Sequence, residues 1–332
     1  MPAQNVSVSF VVIAYNEADG IARTLTAITS LTDLDGYEVI VVNDGSRDGT
    51  ARIVGNVAAG QPNVRLIDLE RNRGRGYARS IGITAAQGEL IATVDADIVL
   101  PRDWLVRTRA ALDGHDAVGG TAVPDGDAVY LYRRFRLRPR VIGHTTAVTG
   151  SNALYRRRVF DLVGFDPALR EGEDVALNHA LAAHALSFAT VPGLLVEHAE
   201  NKTLVGSLAW MFISGKGATR QLLTYRQVRP PDTAVGVFVA AAIAGLATAA
   251  RGRRLAGAAI PAAILVAISA QHVRSRFEMP ADQWIRAVPA VAVDSMLITA
   301  YFAGRIAGLT VLHRALRRRG HPPDPASTKK AE

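Results

Sequence analysis

The stretch Gly88-Glu89-Leu90-Ile91-Ala92-Thr93-Val94-Asp95-Ala96-Asp97 decides the fold class. Leu90–Val94 is a short apolar run opened by a glycine, which predicts a buried strand. It ends in two carboxylates one residue apart. Strand alternation puts both near one rim, and two like charges there are costly unless a cation joins them. A hard divalent ion, Mg2+ or Mn2+, held by Asp95 and Asp97 could bridge the chain to a substrate diphosphate. On its own, Asp-x-Asp is also a common turn pattern.

Upstream, the same alternation repeats. Strands are expected at Val6–Ala14, Glu38–Val42 and Val64–Leu69, and helices at Ile21–Ser30, Asp48–Ala58 and Gly76–Ala86. Strands alternating with helices of this length predict an α/β fold, with a mostly parallel sheet covered on both faces. Ligands bind beyond the carboxyl ends of such strands. Three of these ends are polar: Tyr15-Asn16-Glu17, Asn43-Asp44 and Asp95-Ala96-Asp97. Downstream, Asp103–Leu112 reads as a helix, Ala117–Val123 as a strand, Gly150–Leu154 as a strand or turn, Arg157–Val163 as a short helix and Asp174–Ala185 as a helix.

A chain of 332 residues fits one large domain with an appendage, or two domains. It has no cysteine, which excludes disulfides and thiolate metal sites and leaves oxygen or imidazole ligands. Its formal net charge is +8, with arginine clusters at 71–75, 133–140, 156–158, 251–254 and 314–319. Such charge suits anionic lipid or phosphorylated substrates. Nucleic acid is not expected, since there is no helix-turn-helix, zinc-finger or aromatic RNA-platform signature. No signal peptide is expected either: Met1–Asn5 lacks a positive region, and the run after it is short. Gly74-Arg75-Gly76-Tyr77-Ala78-Arg79 follows the third strand and has Arg79 where a dinucleotide fingerprint needs glycine, which argues against a dehydrogenase.

Beyond Pro230-Pro231 the character changes. Thr233–Ala250, Leu255–Ala270 and Ile285–Leu309 are dominated by Ala, Val, Ile, Leu and Gly, near the length that crosses a bilayer. A buried helical domain is the competing reading. If all three crossed with the first domain in the cytosol, Arg251–Arg254 and Arg317–Arg319 would both lie outside, against the positive-inside tendency. The expected arrangement therefore lays 233–250 in the cytosolic interface or makes it re-entrant, and makes a hairpin of 255–270 and 285–309. The tail from Gly320 is polar and expected to be disordered.

The motifs already quoted, with Val42-Asn43-Asp44-Gly45-Ser46-Arg47-Asp48-Gly49-Thr50, Gly76-Tyr77-Ala78-Arg79-Ser80, Thr149-Gly150-Ser151-Asn152-Ala153, Gly164-Phe165-Asp166 and Glu171-Gly172-Glu173-Asp174, occur in an order that resembles the family 2 inverting glycosyltransferases of GT-A fold. The resemblance covers roughly residues 6–200. It implies that Asp44 accepts a hydrogen bond from the nucleotide base, that Tyr15, Asn16 and Glu17 line the nucleoside pocket, and that Arg79 approaches the diphosphate. Asp97 becomes the firmer metal ligand, Asp95 serves ribose or metal, and Ala96 lies between them at the donor. Asp174 becomes the base that deprotonates an acceptor hydroxyl; a helix-capping role is the alternative. Gly150, Asn152 and Glu173 fall to the acceptor or its loop. His198, after a strand-like run, is a third metal ligand or a structural histidine. The block Trp210–Arg220 is similar to an aromatic Gly-x-Gly segment of succinoglycan-type membrane glucosyltransferases, so Lys216 and Arg220 would close over the diphosphate. The alternative there is an interfacial helix with snorkelling cations. The Gln-x-x-Arg-Trp signature of processive synthases is missing.

The expectation is thus a membrane-attached inverting glycosyltransferase with a GT-A domain at 1–202, an amphipathic interfacial segment at 203–232, membrane helices at 233–312 and a basic tail at 313–332. Mg2+ or Mn2+ would be the cofactor, a nucleotide sugar (UDP rather than GDP) the donor, and a lipid-linked or glycan molecule the acceptor. It would sit on the cell membrane with its catalytic domain cytoplasmic. A polyprenyl-phosphate sugar synthase differs only in acceptor. A nucleotidyltransferase would release pyrophosphate, and a non-catalytic membrane scaffold would show no metal-dependent UDP binding.

Overall fold

All seven residues of strand β1 (Val8–Ala14) are buried, as a strand covered on both faces must be. The computed structural model describes residues 6–124, 136–137, 147–199, 203–226, 228, 230–278 and 284–319. After β1 come α1 (Ile21–Thr29), β2 (Tyr37–Asn43), α2 (Thr50–Gly60), β3 (Val64–Asp68), α3 (Arg75–Ala85), β4 (Leu90–Asp95), β5 (Ile98–Val99), α4 (Trp104–Ala111), β6 (Ala117–Pro124) and β7 (Arg136–Leu137). Next are β8 (Asn152–Arg156), α5 (Arg158–Leu162), α6 (Glu173–Ala183) and β9 (Phe188–His198). Four long helices and a short strand follow: α7 (Leu204–Tyr225), α8 (Pro230–Ala250), α9 (Arg254–Arg276), β10 (Phe277–Glu278) and α10 (Trp284–Arg319).

Contacts divide the chain into two compact units. One is Met1–Tyr130 with Pro139–Asn201; the other is Leu131–Arg138 with Lys202–Glu332. The first holds an eight-stranded sheet in the order β3-β2-β1-β4-β8-β6-β9-β5. β3, β2, β1 and β4 are mutually parallel, β8 runs against both β4 and β6, and β9 is parallel to β6. The sheet is therefore mostly parallel, as expected, with β8 and β5 running against the other six strands.

Side chains alternate across it. Val8, Phe10 and Val12 pack with Ile21, Leu25 and Ile28 of α1 on one face, while Val11 and Ile13 pack with Ile40 and Ala78 on the other. A separate cluster of Ala153, Tyr155, Phe165, Leu177 and Leu181 seats α6 against β8. At roughly 25 cal/mol per Å2 of apolar surface, these buried β-branched and aromatic groups supply most of the driving force for the layered fold.

The second unit is helical. Among the described residues, three helices are long and apolar enough to cross a membrane: Pro231–Ala250, Arg254–Ser275 and Val288–Leu309. α10 runs on to Arg319, well past the end expected for the last apolar segment. The backbones of α7 and α10 touch where a side chain on Gly215 would meet the Tyr301 carbonyl and one on Gly304 the Phe212 carbonyl. Most of the arginine cluster at 133–140, and the tail from Gly320, lie outside the described residues.

Candidate functional site

The parallel register lines up the polar strand ends. Ala14 is level with Asn43, and Ile13 with Asp95. β6 and β9 run the same way as β4, so Pro124 and His198 finish at this rim too, and antiparallel β8 starts there with Val94 opposite Asn152.

The first two loops are laced together. The Asn16 amide donates to Ser46 Oγ (2.8 Å), Asn16 Oδ1 accepts from the Arg47 amide (2.9 Å), and the Glu17 amide donates to Thr50 Oγ1 (2.9 Å). Asn16 adopts φ 55°, a left-handed conformation that asparagine tolerates better than most residues. Tyr15 stays exposed beside it.

Asp44 is buried. Its Oδ1 accepts from the Arg73 amide (2.7 Å) and its Oδ2 from the Gly74 amide (2.8 Å). It therefore clamps the loop entering α3, and an ionised carboxylate still has acceptor capacity beyond these two bonds. Gly45, at φ 69°, lies so close to the Arg71 backbone that a Cβ would sit 2.4 Å from its carbonyl carbon.

At the β4 end the two aspartates part company. Asp97 Oδ2 is 2.8 Å from His198 Nε2, in a pairing set up by the β5–β9 bridge that puts Ile98 opposite His198. Asp95 Oδ1 instead accepts from Arg79 Nη2 at 2.5 Å. Ala96 is core: its side chain is buried, and its carbonyl accepts from Thr24 Oγ1 at 2.6 Å. The donor contact expected of Ala96 is thus limited to the backbone, because the strand end turns its methyl inward. Oxygen and imidazole donors at Asp95, Asp97 and His198 suit a hard divalent ion. Among the described residues no three such groups come together as a closed metal cluster.

Arg79 departs most from expectation. It is 1% exposed and bonds Glu173 Oε1 as well as Asp95, with the Phe165 ring 5.3 Å from its guanidinium carbon. Sealed in this way it ties the end of β4 to the first turn of α6. Glu173 is likewise buried, so it holds Arg79 rather than an acceptor. Gly150 makes room for this link, since a Cβ there would stand 2.8 Å from Arg79 Cζ. Asn152 is also interior: its Oδ1 accepts from the Gly120 amide (2.7 Å) where the β6–β9 register shifts, which replaces the acceptor contact expected of it.

Burial disfavours a cation at Arg79, but Asp95, Glu173 and Asp174 outweigh it and hold the guanidinium charged. Burial lifts the Glu173 carboxyl above its ordinary range; Arg79 opposes the shift and Asp174 adds to it. Glu173 Oε2 and Arg79 Nε find no hydrogen-bond partner among the described residues.

Asp174 follows Glu173 in the first turn of α6, and its Oδ1 accepts from the adjacent Val175 amide at 2.8 Å. Gly172, at φ 74°, occupies the helix cap. Asn178, one turn on, donates to the Asp174 carbonyl (2.8 Å), donates to the Val148 carbonyl (2.8 Å) and accepts from the Val148 amide (2.9 Å), stitching the 147–151 segment to α6. Sequence reasoning missed Asn178, although its i,i+4 spacing from Asp174 was the available signal. It also missed β5, whose two residues carry no periodicity. Lys216 and Arg220 lie one turn apart on α7, in the other unit, Lys216 half-buried and Arg220 exposed.

A mixed sheet with this acidic rim, followed by apolar helices, has the architecture of a GT-A nucleotide-diphospho-sugar transferase. A mannosyltransferase from Pyrobaculum calidifontis, solved with GDP-Man and Mn2+, superposes with TM-score 0.57 over 91% of this chain and 86% of its own, at 21% identity, a likeness of fold alone. More particularly, residues 9–164 match the family model for glycosyl transferase family 2. The succinoglycan biosynthesis protein ExoO of Rhizobium meliloti is 37% identical over 201 residues, 53% of this chain and 56% of the relative. An undecaprenyl-phosphate 4-deoxy-4-formamido-L-arabinose transferase of Aeromonas hydrophila is 30% identical over 202 residues, 54% of this chain and 62% of the relative. The chain thus spans between half and two thirds of the length of these curated relatives.

Proposed function

We propose that this protein is a membrane-attached inverting glycosyltransferase. It moves a sugar from a nucleotide-diphosphate donor, a UDP-sugar in preference, to a lipid-linked or glycan acceptor in cell-envelope polysaccharide or glycoconjugate synthesis. The observation that supports this most is the gathering at one sheet rim of the Asp44 clamp, the Asp97–His198 pair and the start of α6 with Asp174.

Each group then has a task. Asp44 presents the loop at 71–74 and keeps acceptor capacity for a base, while exposed Tyr15 offers an aromatic face to it. Asp97 and His198, with Asp95 beside them, would hold the divalent ion. When bound, that ion neutralises the charge developing on the leaving diphosphate. Asp174 takes the proton from the attacking acceptor hydroxyl. Arg79 keeps β4 and α6 in fixed relation, so metal side and base side stay aligned. Lys216 and Arg220, on α7, would meet anionic groups at the membrane surface.

The test is a donor screen of the purified full chain with Mg2+ or Mn2+ and lipid extract, reading nucleotide release, with Asp97→Ala and Asp174→Ala as controls. Full activity in both variants would defeat the assignment. A second reading, transfer onto a polyprenyl phosphate, is favoured by the carrier named in the Aeromonas relative. A phosphate acceptor arrives ionised and needs no strong base, so Asp174→Asn would then be tolerated better than Asp97→Asn.

A further inference from the structure

We infer that α8 and α9 cross the bilayer as a hairpin, while α10 lies across the base of that hairpin, at the lipid headgroup plane, with α7 alongside it. The pairings between helices point to this arrangement. α8 and α9 run antiparallel and touch backbone to backbone, since a Cβ on Gly245 would lie 2.4 Å from the Gly257 carbonyl and one on Gly257 2.5 Å from the Gly245 carbonyl. Counting equally back along α8 and forward along α9 brings Asp232 level with Ala270, next to His272. Both of these base positions pair with α10: Asp232 with Arg305, and His272 Nδ1 with Asp294 Oδ1 at 2.8 Å. Asp294 and Arg305 are about 16 Å apart along their helix at 1.5 Å per residue. An upright third span would carry Arg305 that far above Asp294, toward the hairpin tip. Here it comes back to the base, so α10 runs crosswise.

Two further contacts agree. The Phe238 and Phe302 rings are 5.0 Å apart, so moving up α8 from Asp232 means moving backward along α10 from Arg305. On the α9 side, Ser295 Oγ bonds Ser269 Oγ at 3.0 Å, close to the His272–Asp294 pair. α7 follows α10 in parallel, with Gly304 against Phe212, Thr219 Oγ1 donating to the Arg305 carbonyl at 2.8 Å, and Gly308 against Thr219.

Charge separates the helices in the same way. No Asp, Glu, Lys or Arg occurs between Asp232 and Arg251 on α8, or between Arg254 and Arg274 on α9. α10 carries Arg286, Asp294 and Arg305 spread along its length, in contrast to the uncharged runs of α8 and α9. Val288, Met296, Ile306 and Leu309 stay exposed on α10, giving it apolar surface for the acyl boundary. Cations also accumulate at the base, with Lys216, Arg220, Arg226, Arg274 and Arg305 against Arg251, Arg253 and Arg254 at the tip, which assigns the base to the cytoplasmic leaflet. This replaces the expectation of an interfacial or re-entrant 233–250 with a hairpin of 255–270 and 285–309.

The inference rests on the membrane attachment proposed above and not on sugar transfer. Its test uses single cysteines, which need no background removal because the chain has none. Arg253→Cys, Ser275→Cys and Ser327→Cys are each labelled with an impermeant maleimide in sealed membrane vesicles of both orientations, with detergent-opened vesicles as the full-labelling control. The arrangement expects Arg253→Cys alone on one side and the other two together on the opposite side. Ser275→Cys alone on its side would overturn it, since both a third upright span and the α9–α10 hairpin give that result. All three on one side would overturn the crossing hairpin. Recovery of the chain in the soluble fraction would sink attachment itself, a separate outcome.

Discussion

Each unit buries an arginine among carboxylates, and the two clusters differ in charge balance. In the helical unit Arg305 meets Asp232, one cation to one anion among the described residues. In the sheet unit Arg79 meets Asp95 and Glu173, with Asp174 adding its field. A balanced pair between α8 and α10 satisfies its members and fixes how the two helices cross. An outnumbered arginine leaves a net negative rim, which suits a place that receives a cation and takes up a proton. On the proposed function, the same chemistry serves assembly in one region and reactivity in the other.

The largest effect that would sharpen this contrast is kinetic. Asp174→Asn should lower kcat about a thousandfold by removing the base, with donor KM little changed. Steady-state nucleotide release checks this, and an equal loss from Asp232→Asn would break the distinction between the clusters. Next come stabilities. Arg79→Met and Arg305→Met should each destabilise the protein by about 3–5 kcal/mol, because each strands buried carboxylate. Denaturant unfolding in micelles reads both. Adding Asp232→Leu to Arg305→Met should recover most of its loss, whereas Asp95→Leu cannot rescue Arg79→Met while Glu173 remains. A smaller effect is expected from Gly150→Ala, about 1–3 kcal/mol, as the new methyl crowds Arg79.

The smallest is a pH slope. Glu173 faces Arg79 and Asp174, with Arg75 and Tyr155 also in the cluster, and its carboxyl is held above the ordinary value by burial. A raised carboxyl binds its proton more tightly folded than unfolded, so its contribution favours the fold at low pH and is lost as pH climbs from the ordinary carboxylate value through the raised one. Glu173→Gln should flatten stability against pH across that window. An unchanged slope would show Arg79 to be fully compensating Glu173.

Much of this was legible in the sequence, and the misses share a cause. β1 to β4 and their helices declared themselves through periodicity and glycine punctuation, and parallel topology then forced Glu17, Asp44 and Asp95 to one edge. The destinations of Arg79 and Asn152 were not legible, because both depend on partners brought near only by the fold. Arg79 meets Glu173 across 94 residues, and Asn152 answers a lone Gly120 amide created by a strand bulge. Apolar content marked 285–309 as a membrane segment, yet composition is silent on direction. The pairings of Asp294 and Arg305, which only the fold brings about, carry the inference that this helix lies down.

The occupation by Arg79 of the space beside Gly150 also has a bearing on heredity. Any side chain gained at 150 collides with Arg79, and any shortening of Arg79 leaves a gap that glycine cannot fill. A lineage altering either position must pass through a weakened intermediate unless both change together. Descendants should therefore inherit the two as a unit, and the pair can serve as a marker for tracing which branches kept this way of joining β4 to α6.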